Sequence, residues 1–358
     1  MKKPNGISND EVNVAFICAG DAEDRLFSSG VYFYMLKALR ESGCKVASLG
    51  PVQPFYLTLG KHACAFTRAL LGKNYDFLHT YRLSKAYARI FREKILSGSF
   101  DIVFAQEASA EIAFLDIGLP IVYGSDATFA LMKDYYPFFT DLLKISAKRS
   151  DAIESMAIRK AAALIYPTEW ASRSAAEDYG ADAASINIIP FGPNLDALPS
   201  RGQALKPKDM QCCNLLFIGR KWARKGGDIA IGTFFELKRM NVPARLTICG
   251  CVPPVAYDHP DLSIIPSLDK NDEEQRARLF ELYSQAHFLI MPSRAETAGF
   301  TISEAAAFGL PVIAARTGGI PDLVQEGVNG SSSRLKQEER SMPGLYNLFI
   351  QTARNMTS

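Results

Sequence analysis

The chain alternates short apolar runs with longer stretches in which apolar residues recur at helical spacing. The first run, residues 12–18, is mostly apolar and ends at Ala19 and Gly20, as is typical of a buried parallel strand. Between residues 31 and 40 the apolar positions follow a helical period, and Gly43 is placed to end that helix. A second strand is predicted at residues 45–49, so the chain opens with a strand, a helix and a strand.

This alternation continues to about residue 190. It predicts helices within 78–96, 140–160 and 169–179, and strands at 102–105, 120–123, 163–166 and 186–189. Strands that alternate with helices over such a length are typical of a doubly wound parallel sheet with helices on both faces.

Residues 196–213 interrupt the alternation with two prolines, scattered charge and few large apolar side chains, a composition typical of a linker. A second alternating segment follows, with strands predicted at 214–218, 244–249, 262–265, 287–291 and 311–315 and helices at 228–240, 273–284 and 300–308. The fold class that we predict is α/β, with two Rossmann-like, doubly wound domains at 1–195 and 214–330 facing each other across a cleft.

Composition and charge exclude several classes of protein. The 358 residues are 48% hydrophobic and 22% charged, which is typical of a globular chain that is too long for one hydrophobic core. Forty basic against 38 acidic side chains leave a net charge of +2, far from the basic excess of a dedicated nucleic-acid-binding protein. Seven cysteines, an odd number, favour a reducing compartment, and no apolar run approaches the ~18 residues of a membrane span. We therefore expect a cytoplasmic protein without a signal peptide.

The most informative stretch is residues 291–323, MPSRAETAGFTISEAAAFGLPVIAARTGGIPDL, which predicts a strand end, a loop, a helix and another strand. Glu296 lies in the loop, and Glu304 lies a little over one turn into the helix. The free amides of residues 297–301 would surround a helix N-terminus, which suits a phosphate. Carboxylates beside an anion site suit hydroxyl groups, so the pattern suggests a nucleotide sugar. The alternative is that Glu304 is solvated and that Glu296 only interacts with the helix dipole.

A second motif, residues 217–228 (FIGRKWARKGGD), places four basic side chains in a glycine-flanked loop at the end of a strand. Arg220 and Lys225 are the right distance apart to clamp a diphosphate, the guanidinium through its fork and the ammonium as a point charge. Gly219 beside Arg220 would allow close approach of the backbone to a ligand. For Lys221 and Arg224 we predict a solvated turn.

These segments resemble family 4 of the retaining glycosyltransferases, which have the two-domain GT-B fold. The resemblance runs from about residue 12 to Gly330 and includes several separate motifs in the family's order. It implies transfer of a sugar from a nucleoside-diphosphate sugar to an acceptor hydroxyl with retention of configuration, in polysaccharide or glycolipid biosynthesis. Besides the two motifs above, the matching segments are 28–51 (SSGVYFYMLKALRESGCKVASLGP), 166–180 (YPTEWASRSAAEDYG) and 186–196 (INIIPFGPNLD).

The resemblance also assigns roles in the donor site. The positions that match Arg220 and Lys225 stabilise the leaving diphosphate, Glu296 contacts the donor sugar, and Glu304 binds the ribose hydroxyls. Leu268 is our candidate for a contact with the base. No cofactor and no metal are expected, because the chain contains no Asp-x-Asp pair to bridge a metal to the donor. The remaining positions expected to hold phosphate and sugar are Gly219, Thr297, Ala298, Gly299, Phe300 and Thr301.

Two loops of the first domain are candidates for contact with the reacting end of the donor. Ser29 and Gly30 match the family's glycine-rich loop near the donor phosphates, with simple helix entry as the alternative for Gly30. Asp126, after the strand at 120–123, matches a position where relatives often have a His or Asp near the reacting sugar, and it is our candidate for acceptor contact or general base. The alternative is that Asp126 caps the next helix. Histidines 62, 79, 259 and 287 lack the spacing of a metal site.

Residues 61–97 carry eight basic and two acidic side chains interleaved with large apolar ones, including Phe66, Leu70, Tyr87 and Phe91. A basic amphipathic face of this kind suits peripheral contact with an anionic membrane, and a merely solvated face is the alternative. The other partners expected are a nucleotide sugar and a glycan or lipid-linked acceptor, without nucleic acid.

The segment 331–358 resembles nothing in the family pattern, and we expect an atypical, shortened tail that would loosen the hinge between domains. Two rival functions stay open on the sequence. One is another GT-B nucleotide-sugar enzyme, an epimerase or a phosphorylase, and the other is a catalytically dead nucleotide-sugar-binding or scaffold protein. A dinucleotide oxidoreductase is disfavoured because neither strand–loop–helix junction contains Gly-x-Gly-x-x-Gly.

Overall fold

A computed structural model describes residues 11–209 and 211–334 of the chain, and these divide into two compact units. The first unit contains the described residues up to Pro167 together with Ala171–Ile189. The second contains Thr168–Trp170 and the described residues from Pro190 onward. Most of the segment predicted to be an atypical tail, from residue 335 to 358, lies outside the described residues.

The first unit is built on a six-stranded sheet in which every neighbouring pair of strands is parallel. The strand order is β2-β1-β3-β4-β5-β6, so the winding direction reverses between β1 and β3. Ligands in doubly wound sheets bind at such a switch point, outside the carboxyl ends of the strands. The strands are β1 (Asn13–Ile17), β2 (Lys45–Ser48), β3 (Ile102–Gln106), β4 (Ile121–Gly124), β5 (Ala163–Tyr166) and β6 (Ile186–Ile188).

Seven α-helices lie among the described residues of this part of the chain. Helix α2 is absent from the sequence-based assignment. Its seventeen residues include a single buried side chain, that of Cys64, whereas Phe55, Leu59, Phe66 and Leu70 are exposed. The helices are α1 (Val31–Glu41), α2 (Phe55–Leu71), α3 (Tyr81–Leu96), α4 (Ser109–Ile112), α5 (Phe129–Met132), α6 (Lys144–Lys160) and α7 (Glu169–Glu177), and 3-10 turns occupy Phe27–Gly30, Pro137–Phe139 and Ala183–Ser185.

The amphipathic face predicted over 61–97 divides between two helices with different environments. The apolar side of α3, including Tyr87 and Phe91, is buried in the core of the unit. The prediction that these two side chains contribute to a membrane-facing surface is therefore wrong, because both are buried. Helix α2 instead presents exposed apolar side chains on one face: Phe66 is 65% exposed and Leu70 is 67% exposed.

The second unit contains another six-stranded, wholly parallel sheet, with the order β12-β11-β10-β7-β8-β9. Read from β9, this is the Rossmann order 3-2-1-4-5-6, and the switch point lies between β7 and β10. The predicted α/β class with two doubly wound sheets is thus confirmed. Strand β12 and the short helix α8, which lies inside the predicted linker, were not expected. The strands are β7 (Cys213–Ile218), β8 (Ala244–Cys249), β9 (Leu262–Ile265), β10 (Phe288–Met291), β11 (Val312–Ala315) and β12 (Gly330–Ser333), and the helices are α8 (Arg201–Ala204), α9 (Trp222–Lys225), α10 (Gly227–Arg239), α11 (Glu273–Gln285), α12 (Phe300–Ala307) and α13 (Ile320–Leu323).

Both faces of the second sheet are covered, as the continuous apolar strands predict. Alternate residues of β7 point to opposite faces: Leu215 joins the cluster that includes Phe234 of α10, and Leu216 joins the cluster that includes Tyr283 and Phe308. Each large side chain buried in this way contributes roughly 1.5–3 kcal/mol. A rigid sheet therefore carries the loops that follow β7 and β10.

Candidate functional site

The loops after β7 and β10 meet at the switch point of the second unit. The backbone amide of Arg294 donates to the carbonyl of Arg224 across 2.8 Å. Gly226 has a left-handed φ of +75°, and a Cβ there would lie 2.1 Å from the carbonyl oxygen of Pro292. Since no other residue fits this conformation in this space, glycine is required where the two loops touch.

A buried ion pair joins the same two loops. The Nζ of Lys225 contacts Oε2 of Glu296, and their side chains are 13% and 7% exposed. Ser293 donates its hydroxyl to the same carboxylate oxygen across 3.4 Å. A Cβ at Gly219 would lie 2.8 Å from Cγ of Lys225, so the glycine leaves room for the lysine chain at the end of β7. The fold therefore brings together two predicted site residues, Lys225 and Glu296.

Arg224 takes part in this arrangement, and its prediction as a solvated residue is wrong. Its Nη1 donates to the carbonyl of Ala295 across 2.7 Å and lies 3.6 Å from Oε2 of Glu296. The reason is that α9 is a single turn that directs Arg224 back toward the second loop. Lys221 and Arg220 have exposed side chains.

Arg294 is a residue that the sequence reasoning missed. It forms a two-pronged ion pair with Asp228, with N–O distances of 2.7 and 2.6 Å, and it also donates to the carbonyl of Ala223. The hydrogen bonds from the guanidinium hold the pKa of Asp228 below its usual range. The loop after β10 is thereby tied to the start of α10.

Glu304 is buried, so its alternative assignment as a solvated helix residue is wrong. Its Oε1 accepts from Nζ of Lys270 across 3.1 Å, and its Oε2 accepts from the hydroxyl of Tyr283 across 2.5 Å. Burial, and next the nearby carboxylate, raise the pKa of Tyr283 well above its usual value, so that the hydroxyl remains a donor. Lys270 and Tyr283 are functional candidates that the sequence reasoning missed.

Along the chain, the N-terminus of α12 lies between the two glutamates. Gly299, with φ of +52°, is the N-cap residue, and no side chain caps the helix. The amide of Ile302 donates to the carbonyl of Gly299 across 2.7 Å, and the two amides before it, those of Phe300 and Thr301, precede the first intrahelical hydrogen bond of α12. The preceding Thr297 and Ala298 are buried, and Thr301 donates its hydroxyl to Sδ of Met291 across 3.3 Å.

Two of the predicted donor-site residues contact other parts of the second unit. The ring of Phe300 stacks on that of Phe191, with centroids 4.6 Å apart. Leu268 packs half-buried against the core cluster that contains Leu279 and Tyr283. The role of Leu268 beside a nucleotide base stays a prediction.

In the first unit, the loop after β1 has an unusual backbone. Ser28, Ser29 and Gly30 are consecutive residues with positive φ, at 46°, 61° and 88°. Left-handed serines cost of order 1–3 kcal/mol each and persist only where the surroundings fix them. Gly30 is also the N-cap of α1, so it does stand at helix entry, and its role near a donor stays a prediction.

Asp126 and Glu107 follow neighbouring strands at the carboxyl edge of the first sheet. Asp126 does not cap the next helix, because Thr128 is the N-cap of α5, so that alternative is wrong. The amide of Glu107 donates to the carbonyl of Gly124 across 2.7 Å, which fixes its position beside β4. Burial, and then the charge of Asp126, raise the pKa of Glu107 to about 8.

The hydroxyl of Tyr32 donates to Oε2 of Glu107 across 3.1 Å and so links the loop after β3 to α1 beside β1. Glu107 was missed by the sequence reasoning. The signal that could have revealed it is a carboxylate placed directly after β3, the strand that neighbours β1 at the switch point.

His79, which the sequence left without a role, belongs to a buried polar network. Its Nδ1 lies 2.7 Å from Oδ2 of Asp76, which also accepts from the hydroxyl of Ser150 across 2.7 Å. Burial opposes the charged imidazole, but the carboxylate of Asp76 outweighs it and raises the pKa of His79 to about 9. His287, directly before β10, accepts from the amide of Asn214 near the start of β7. Among residues 11–209 and 211–334, no group of three or more His, Cys, Asp or Glu side chains is arranged to hold a metal ion.

The fold and these loops define an α/β protein of the GT-B kind, with two doubly wound parallel sheets. Two family models match the chain: "Glycosyltransferase Family 4" over residues 30–197 and "Glycosyl transferases group 1" over residues 212–342. The chain therefore belongs to the family 4, group 1 glycosyltransferases.

Relatives and solved structures agree with this assignment. The D-inositol 3-phosphate glycosyltransferase of Acidothermus cellulolyticus is 27% identical over 307 residues, which cover 78% of this chain and 63% of that protein. Sucrose-phosphate synthase from Thermosynechococcus elongatus superposes with a TM-score of 0.66 at 15% identity, covering 96% of this chain and 90% of that one. An Anabaena protein in complex with UDP-glucose has a TM-score of 0.54 at 17% identity, with coverages of 96% and 91%. At these identities the two structures show the fold alone.

The matched relatives are longer than the part that aligns with this chain. The alignments span 45% of the Nocardiopsis dassonvillei relative and 63% of the Acidothermus cellulolyticus relative. Among the described residues, no helix is both long enough and apolar enough to cross a membrane.

Proposed function

We propose that this protein is a retaining glycosyltransferase that moves a sugar from a nucleoside-diphosphate sugar to an acceptor hydroxyl without a metal. The observation that carries the proposal is the set of groups on and next to α12: the N-terminus of this helix has no side-chain cap, Glu296 in the preceding loop contacts Lys225, and the buried Glu304 within the helix contacts Lys270. Free amides and an ammonium group suit a diphosphate, and carboxylates suit the hydroxyls of a sugar and a ribose.

The chemistry that we assign to this chain is mainly electrostatic. As the bond to the donor sugar breaks, negative charge accumulates on the departing diphosphate, and Arg220, Lys225 and the first amides of α12 would stabilise it. Glu296 holds Lys225 at the loop before a donor arrives, so little reorganisation is needed. Glu304 would bind the ribose and Glu296 the donor sugar. Asp126 is our candidate for contact with the acceptor or for its general base.

The test is a transfer assay with a panel of nucleotide sugars. Lys225→Ala and Arg220→Ala should lower kcat by roughly 10²-fold or more, the usual cost of removing one stabilising group in an active site. Glu304→Ala should mainly raise the KM for the donor. Lys221→Ala, which removes a neighbouring exposed charge, is the control and should change neither. Equal donor affinity and turnover in all four variants would contradict the assigned roles.

Product analysis in the same assay separates the rival functions. An epimerised sugar nucleotide as the main product would replace the transferase proposal with an epimerase. Absence of binding to every nucleoside diphosphate tested would remove the donor site itself. The acceptor that we propose is a glycan or a lipid-linked molecule, and the names of the relatives make D-inositol 3-phosphate one compound to include in the panel.

We also propose a cytoplasmic location with peripheral contact at an anionic membrane, through the exposed apolar face of α2. Lys61 and Arg68 on the same helix are exposed and would favour anionic lipid. Binding to phosphatidylcholine vesicles with and without phosphatidylglycerol tests this. Replacing Phe66 and Leu70 with serine should reduce binding more than tenfold, since each buried apolar side chain contributes about 1.5–3 kcal/mol. The control is Leu96→Ser on α3, also an exposed leucine, and an equal loss there would contradict the assignment.

A further inference from the structure

A cavity of about 420 Å³ lies in the first unit and is lined by none of the residues assigned above to the donor site. Helix α2 contributes Tyr56 and Leu59 to its wall, the start of α3 contributes Tyr81 and Arg82, and α6 contributes Arg149. All of its lining residues belong to the first unit. It has the size of a pocket for a small polar molecule.

The cavity carries uncompensated positive charge. Within the part of the chain that the structure describes, neither Arg82 nor Arg149 makes an ion pair or a side-chain hydrogen bond, and no acidic side chain lines the cavity. Three tyrosines, Tyr56, Tyr75 and Tyr81, add phenolic hydroxyls that have no protein partner there either. Each guanidinium offers five N–H groups in a fixed fork and has no acceptor of its own. The cavity wall is therefore rich in hydrogen-bond donors and in charge.

An oxyanion is the ligand that satisfies such a wall. A carboxylate has two oxygens and one charge, whereas a phosphate monoester has three terminal oxygens and a charge near −2, which matches two guanidinium groups. The rings of Tyr56 and Tyr81, together with Leu59, provide apolar surface for the organic part of an ester. The chemistry of the wall thus favours a phosphate ester over a simple carboxylate.

We propose that this cavity binds the phosphate group of a phosphate ester that serves as the acceptor, with Arg82 and Arg149 holding the phosphate. The assignment as acceptor rests on the function proposed above, whereas the binding of phosphate does not. The ester has two sources with the same chemistry, a water-soluble sugar or polyol phosphate and a lipid whose headgroup is a phosphate monoester.

Calorimetric titration of the full chain tests the cavity, with glycerol 3-phosphate as the soluble probe, glucuronate as the carboxylate probe and phosphatidic acid in phosphatidylcholine vesicles as the lipid probe. The double variant Arg82→Gln and Arg149→Gln should raise the Kd for phosphate probes at least tenfold, or about 1.4 kcal/mol. The matched control is Arg89→Gln with Arg92→Gln, which removes the same charge from exposed positions of α3 outside the cavity wall. Thermal unfolding confirms that both variants are folded.

The outcomes are separable. Phosphate binding that is lost in the cavity variant and kept in the control supports the proposal, and the stronger of the soluble and lipid arms identifies the source. Absence of phosphate binding, equal loss in both variants, or equally tight binding of glucuronate overturns it. Titration of the double cavity variant with nucleoside diphosphates reports on the donor site alone. If the unmodified protein binds phosphate esters and this variant binds no nucleoside diphosphate, the cavity assignment stands and the proposed function fails. If the variant binds nucleoside diphosphates and the unmodified protein binds no phosphate ester, the proposed function stands and the cavity assignment fails.

Discussion

The ion pair between Lys225 and Glu296 makes a quantitative prediction about stability. Glu296→Gln leaves Lys225, whose side chain is 13% exposed, without an acidic partner, and uncompensated buried charges of this kind cost about 3–5 kcal/mol. Lys225→Met is milder, because Glu296 keeps Arg224 at 3.6 Å and the hydroxyl of Ser293 at 3.4 Å. We expect a loss of about 1–2 kcal/mol for that variant, so the order of the two losses is the prediction.

The assay is urea unfolding at equilibrium, analysed for the second unit if the two units unfold separately. The double variant should lose less than Glu296→Gln alone, since removing the lysine also removes its unpaired charge. The matched control is Asp141→Asn, which breaks the exposed pair with Lys73 and should cost at most ~1 kcal/mol. A larger loss for Lys225→Met than for Glu296→Gln, or losses no larger than the control's, would refute the reasoning.

Three further predictions concern pH and the loop geometry. Charged His79 should stabilise the protein by at most about 3 kcal/mol, fully below about pH 6.5 and no longer once the pH has risen through about 9. Thermal unfolding of His79→Gln should show no such decrease in stability over this pH range. The pKa of Glu107 is raised for a different reason, because burial disfavours its charged form. The stability of the wild type should therefore fall as the pH rises from about 4.5 to 8. The Tm of Glu107→Gln should exceed that of the wild type near pH 8 and equal it near pH 4.5. Gly226→Ala should cost at least ~1–2 kcal/mol from its left-handed backbone, more from the clash with Pro292, and should weaken nucleotide binding in a titration, whereas an unchanged Tm would contradict this.

The parts of the fold that the sequence predicted are those whose pattern reports burial. Strand β10 is wholly buried and reads as a continuous apolar run, and α12 follows it after a glycine, so both were predicted within a residue or two. Helix α2 was missed for the complementary reason. It buries Cys64 alone, and its large apolar side chains Phe55, Phe66 and Leu70 are exposed, so the pattern of apolar positions in this helix does not report burial.

Some residues of the candidate site could likewise be predicted from the sequence, and others could not. Glu296, Glu304 and Lys225 lie within local motifs, and their positions on strand ends and a helix start follow from spacing along the chain. Lys270 and Tyr283 contact Glu304 from 34 and 21 residues away, and only the packing of α11 and the loop after β9 brings them there. No local pattern records such a contact.

The positions of two other side chains, those of Glu107 and Arg224, could not be predicted from the sequence either. Predicting a role for Glu107 requires the information that β3 lies beside β1 in the sheet, and the order of the strands along the chain does not give it. Arg224 depends on the direction of a single helical turn, and the sequence spacing fits an outward and an inward arginine equally well.

The exposed apolar surface of α2 also determines where the first unit opens first. An isolated helix of this length is marginal in water, and α2 has one buried side chain, that of Cys64, to hold it in place. Its amide protons should therefore exchange with solvent through a local detachment that leaves the sheet intact, whereas those of α3, which buries Leu83, Tyr87 and Phe91, should exchange much more slowly. Whatever binds α2 will then register as slowed exchange in these seventeen residues while the protection of the neighbouring sheet stays constant.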